Sequence, residues 1–123
     1  MTVTRVTLLK VPEAEDREKL LTIYKTMTQD AVKLPRGKTL MPTKNKQDGK
    51  PYIRSLKAGS TFEDQRNQGY TLAVVSEFNN IDDMRYYDSG CQAHARLKSV
   101  GKDMHEGVMT VYFESVTSPV ERL

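Results

Sequence analysis

Thr4 to Val11 alternates along the chain, with Val6 and Leu8 on one side and Arg5, Thr7 and Leu9 on the other, the period-2 signature of a strand. Pro12 ends it. In "EAEDREKLLTIYKTMTQDAV" the period changes: Leu20, Leu21, Tyr24, Met27 and Ala31 recur at helical spacing, with acids in the first turn where the helix dipole favours them. "KLPRGKTLMPTKNKQDGK" has no period and is punctuated by Pro35, Gly37, Pro42 and Gly49, so it reads as a loop. Two strands are expected next, "PYIRSLKAG" and "GYTLAVVSEF". In the second, Leu72, Val74 and Phe78 oppose Ala73 and Val75, and two apolar faces predict burial on both sides. Asn80 then caps a short helix, with Asp83 three residues on. That helix is expected to run through Tyr87, break at Asp88, Ser89 and Gly90, and resume from Cys91 to Asp103. "GVMTVYFESV" is the last strand, with Met109, Val111 and Phe113 opposing Val108, Thr110 and Tyr112.

The order β-α-β-β-α-β predicts an α+β, ferredoxin-like fold: a four-stranded antiparallel sheet with helices on one face. The uncovered face would carry Val6, Leu8, Ala73, Val75, Met109, Val111 and Phe113. So much apolar surface is not left in water. The expected solution is a homodimer, an α/β barrel in which two such sheets pack face to face.

Composition narrows the class. The 123 residues suit one domain, 1–123, and 37% hydrophobic with 28% charged residues is ordinary for a globular chain. The longest apolar runs, such as "LAVV", are far too short to cross a bilayer, so no membrane partner is expected, and the N-terminus lacks the apolar block of a secretory signal. Cys91 is the single cysteine, which rules out an internal disulfide and suggests a reducing, cytoplasmic location. The net charge of +3 is local. Six basic residues and one acid lie between Lys33 and Lys50, and without them the chain carries 13 basic and 15 acidic residues. The expectation is a flexible basic insertion at 33–50, not a nucleic-acid surface, since the stretch has no aromatic side chain to stack on bases. "GKT" at Gly37 to Thr39 is no phosphate loop, because Val32 stands where the motif needs its first glycine.

With the strands in place, "TRVTLLKV", "NQGYTLAVVSEFNNIDDMRYY", "QAHARLKS" and "EGVMTVYFES" together resemble the stress-responsive A/B barrel (Dabb) family of dimeric α/β barrels, fungal members most of all. The family includes plant stress proteins and olivetolic acid cyclase, which closes a polyketide chain by an aldol step with a Tyr/His pair. The resemblance implies His94 as the catalytic base and Tyr87 as its partner, with Tyr86 a rival because the pair is one residue further apart here. It matches a pocket tyrosine with Tyr24. This chain departs from the family where Cys91 and Gln92 replace the first two residues of a His-Pro-x-His segment, and where Arg5 and Leu72 stand in place of pocket histidines.

The residues give a rationale of their own. An aldol closure needs a base for the proton alpha to a carbonyl and a donor for the oxyanion that forms, and imidazole and phenol supply these without metal or organic cofactor. A plainer role for His94 is a hydrogen bond to a backbone carbonyl beneath the broken helix. Cys91 is read as a small buried side chain and His105 as a strand-entry residue. The two histidines and the cysteine do not form a metal site. Arg5, beside Thr7 on the helix-facing side of the first strand, needs a partner. That partner is either a carboxylate of the covering helices or a small apolar or aromatic acid ligand. Three functions follow as candidates: a cofactor-independent, polyketide-cyclase-like enzyme or ligand binder, a non-enzymatic stress-associated homodimer, and a cofactorless oxygenase.

Overall fold

The structure, a computed structural model, describes residues 2–33 and 49–117. In chain order they form β1 (Val3–Lys10), α1 (Ala14–Lys25), a short α2 (Met27–Asp30), the two-residue strands β2 (Val32–Lys33) and β3 (Lys50–Pro51), β4 (Ile53–Ser60), β5 (Leu72–Phe78), α3 (Ile81–Ser89), α4 (Gln92–Gly101) and β6 (Gly107–Phe113). β4, β5, β1 and β6 lie in that order in one antiparallel sheet. β5 and β6 flank β1 and run parallel to one another, joined by α3 and α4, which is the split βαβ crossover of a ferredoxin-like fold.

Pairing register decides which side chains share a face. Val3 pairs with Phe78, and Phe78 with Ile53. Leu9 pairs with Leu72, which places these residues under the helices. Phe78, Met27, Leu72 and Val11 are the largest fully buried side chains. On the other face Val6 pairs with Val75 and Val111, and Leu8 with Ala73 and Met109. No helix covers this face: Val75 is 37% exposed, Met109 42% and Val111 53%, while Val6, Leu8 and Ala73 are half-buried. The expectation that β5 is buried on both sides fails within a single chain for this reason. Its Leu72, Val74, Ser76 and Phe78 lie under the helices, while Val75 opens to solvent.

The long first helix is broken. Thr26, at φ −113° and ψ 8°, caps α1, and its hydroxyl donates to Asp30 Oδ2 at 2.7 Å, which opens the short α2. Met27 and Ala31 remain buried across the break. At the base of the expected insertion, Val32 pairs with Pro51 and Lys33 with Lys50. Lys33 Nζ also donates to the buried Asp83 Oδ1 at 2.8 Å. The two ends of the basic stretch are thus strand residues. The mobility expected of its middle, 34–47, lies outside the described residues.

Candidate active site

The site grows out of the break between α3 and α4. Asn80 starts α3 as expected, its side chain accepting from Asp83 N at 2.8 Å. The helix runs to Ser89, two residues past Tyr87, and stops because Gly90 N and Cys91 N both turn back to Tyr86 O, at 2.7 and 2.9 Å. Glycine suits position 90, since a Cβ there would stand 2.8 Å from the Tyr86 ring and force it to shift. An interrupted helix leaves its last carbonyls without amide partners. Two basic side chains one turn apart on α4 take them. His94 Nδ1 meets Tyr87 O at 2.7 Å, and Lys98 Nζ donates to Asp88 O at 3.0 Å.

That first bond fixes the imidazole. A carbonyl only accepts, so Nδ1 carries the proton and Nε2 keeps its lone pair. The ring is 6% exposed and lies flat on the Tyr87 ring, with centroids 3.6 Å apart and planes 8° apart. Burial lowers the His94 pKa from 6.5 to about 4, against the smaller upward pull of the Tyr87 carbonyl. Lys98 and Arg5 push it further down, and Asp88 opposes them. The imidazole is therefore neutral at physiological pH.

β1 aims Arg5 and Thr7 at the same place. Arg5 Nη1 donates to Asp88 Oδ2 at 2.7 Å, and its guanidinium stands 5.3 Å from the centre of the Tyr87 ring. Its Nε reaches Thr7 Oγ1 at 3.5 Å, and Thr7 Oγ1 lies 3.3 Å from Thr110 Oγ1 across the β1–β6 ladder. Arg5 thus has a carboxylate from the covering helices, the plainer of its two expected partners. Tyr24 comes from α1. Burial pushes its phenol pKa up to about 12, with Arg5 pulling weakly the other way, so it stays a protonated donor.

These groups line a cavity of about 320 Å³ between the sheet and α1 and α4, walled by Leu9, Leu20, Leu97 and Val108. The volume is at the lower end for small-molecule pockets, roughly 300–1,000 Å³. Arg5, Thr7, Tyr24 and His94 all reach it. Tyr87 lies behind His94, between that ring and Phe78. Leu72 is wholly buried in the core. Tyr86 points elsewhere: its ring meets Tyr52 edge-on at 5.3 Å, and its hydroxyl reaches Val32 O at 3.4 Å.

Asp88, Lys98, Lys102 and His105 also line the cavity, and none of them is among the site residues expected from the sequence. For Lys98 and Lys102 a signal existed, because His94, Lys98 and Lys102 recur at i, i+4 on one helix face. Asp88 had no local signal. His105, expected at strand entry, does precede β6, but it also lines the cavity, and its Nδ1 is buried without a hydrogen-bond partner. Cys91 is buried in the neighbouring core beside Tyr52, whose phenol pKa is raised by burial and then by that thiol. Among the described residues no cluster of three or more His, Cys, Asp or Glu could hold a metal, and no helix is long and apolar enough to cross a membrane.

The stress responsive A/B barrel domain model matches residues 3–115. A fungal relative from Gibberella zeae, a Fusaristatin A biosynthesis cluster protein, is 36% identical over 113 residues, which is 91% of this chain and 72% of that one. A dimeric protein of ferredoxin-like fold from Bacteroides fragilis superposes with a TM-score of 0.61 at 19% identity, over 93% of this chain and 96% of its own. SnoaB, a cofactor-independent oxygenase from Streptomyces nogalater, superposes with a TM-score of 0.65 at 9% identity, over 98% of each chain. The chain belongs to the stress-responsive A/B barrel family.

Proposed function

We propose that this family member is a homodimeric, cofactor-independent binding protein for a small, largely apolar acid, and that it performs acid–base chemistry on that ligand with His94. The observation that carries the reading is the convergence of Arg5, Tyr24 and a neutral, tautomer-fixed His94 on one apolar-walled cavity. Arg5 supplies the charge for an acid group. His94 Nε2 accepts a proton, and Tyr24 donates to the oxyanion that forms. Tyr87 holds the imidazole through its carbonyl and its ring. A base whose conjugate acid has a pKa of about 4 is weak at neutral pH, so the proton it takes must be an acidified one, such as one between two carbonyls. A polyketide-like 3,5-dioxo acid has that proton and that acid group. The relative in a fungal biosynthesis cluster is in keeping with such a substrate.

The dimer follows from the apolar sheet face, and the likeness to a dimeric protein of the same fold supports it. A second reading has its own observation. His94 caps an orphan carbonyl, which a binding protein without catalysis would need equally. The fold likeness to SnoaB leaves a cofactorless oxygenation as the alternative chemistry for an easily deprotonated ligand.

Turnover of a medium-chain 3,5-dioxo acid separates these readings. His94→Ala is expected to lower it by roughly 10²–10⁴-fold while the protein stays folded, and Tyr24→Phe to slow it more than Tyr87→Phe. Binding without turnover in the wild type supports the non-catalytic reading. Turnover that consumes oxygen supports the oxygenase, and a folded His94→Ala protein with normal turnover ends the base assignment.

A further inference from the structure

Of the cations that line the cavity, Arg5, Lys98 and Lys102, Arg5 is paired with an acid, and that acid is the chain's own. Arg5 is almost enclosed, its side chain 10% exposed, whereas the Asp88 side chain is 47% exposed. One Nη1–Oδ2 contact of 2.7 Å joins them. A guanidinium offers five N–H donors in a fork that matches both oxygens of a carboxylate at once, so this pairing uses a small part of what Arg5 can give. The second Asp88 oxygen gains little elsewhere. It lies 3.8 Å from His94 Nδ1, whose proton is directed at Tyr87 O at 2.7 Å. Asp88 also sits in the last turn of α3, where the helix dipole disfavours a negative charge, an effect that Lys98 on the Asp88 carbonyl moderates.

We propose that Asp88 is a resident substitute for the ligand's acid group, displaced when the ligand binds. An entering carboxylate takes Arg5 through two N–H bonds, and Asp88 turns out to the solvent that already reaches half of it. Empty, the site holds a neutral ion pair instead of an unpartnered enclosed cation. Filled, it exchanges one carboxylate for another. The consequence is selectivity: a neutral molecule of the same shape cannot displace Asp88, and so gains nothing from Arg5. Asp88 is thereby a specificity-determining residue, and it rests on the reading of the cavity as an acid-binding site.

The test is calorimetric titration of the full-length protein with octanoate and with 1-octanol, its uncharged analogue. Asp88→Asn, which keeps the shape and removes the charge, is expected to tighten octanoate about 10-fold and leave 1-octanol unchanged. In an Arg5→Met background the same substitution is expected to change neither. Equal tightening in both backgrounds would reduce the effect to through-space repulsion and overturn the proposal, as would unchanged or weaker octanoate binding. If neither probe binds any variant, the acid-binding cavity itself fails and displacement falls with it. A wild-type complex with octanoate gives a check without substitution: Arg5 on the ligand with Asp88 rotated outward supports displacement, and an intact Arg5–Asp88 pair overturns it.

Discussion

The middle of β1 reverses the usual order of a small α+β domain. Under the helices, where apolar side chains normally pack, the strand places Arg5 and Thr7 between Val3 and Leu9. On the face without cover it places Val6 and Leu8, paired with Val75, Val111, Ala73 and Met109. An enclosed charge is tolerated only with a partner, and an exposed apolar sheet only with a cover. The covered face therefore calls for an acid and the open face for a cover, which we propose is a second copy of the sheet.

The open side is expected to be the easier to break. Val111→Glu would leave an uncompensated charge in the proposed dimer interface, a loss of about 3–5 kcal/mol. Sedimentation equilibrium at micromolar concentration is expected to read a dimer for the wild type and a monomer for the variant. A wild-type monomer would remove the premise.

On the covered side the largest effect is expected from pH. His94 has a folded pKa of about 4, below its unfolded value of 6.5, so the unfolded chain binds the proton more readily. Its contribution is fully present above pH 6.5 and is lost as the pH falls from there toward 4, by up to about 3 kcal/mol. Urea denaturation across that window is expected to show the slope in the wild type and a flatter profile in His94→Ala. At neutral pH the same variant is expected to lose about 1–3 kcal/mol, since the Tyr87 carbonyl is left without a partner. An unchanged urea midpoint would show that the cap contributes nothing.

A smaller effect is expected at the helix break. Gly90→Ala places a methyl against the Tyr86 ring and is expected to cost about 1–3 kcal/mol, the range for overpacking. If the strain comes from that ring alone, Tyr86→Leu in the same chain should restore most of the melting temperature. Failure to restore it would place the strain in the backbone.

Much of this was legible along the chain. Alternation in β1 and β6 separated the two sheet faces correctly, because a strand's side-chain period is fixed at two and survives any tertiary setting. Asn80 was legible as a cap for a similarly local reason, since it acts on an amide three residues away. Other features were not. Met27 and Ala31 keep helical spacing through a chain that bends at Thr26, because burial selects the same face on both sides of the break.

The order of the elements, the polarity of each sheet face and an arginine where packing would favour an aliphatic residue are local properties of the chain. Those properties depend on periods and neighbours a few residues apart. Which groups share the cavity was set by packing between distant elements. Tyr86 and Tyr87 differ by about 100° around α3, and packing alone turned one toward Tyr52 and the other toward His94. Asp88 read as a helix breaker, yet it is a helical residue whose carboxylate meets Arg5, 83 positions away. No local pattern encodes a contact of that span. It exists because a strand and an interrupted helix are packed against each other, and because a nearly enclosed positive charge requires a negative one within reach.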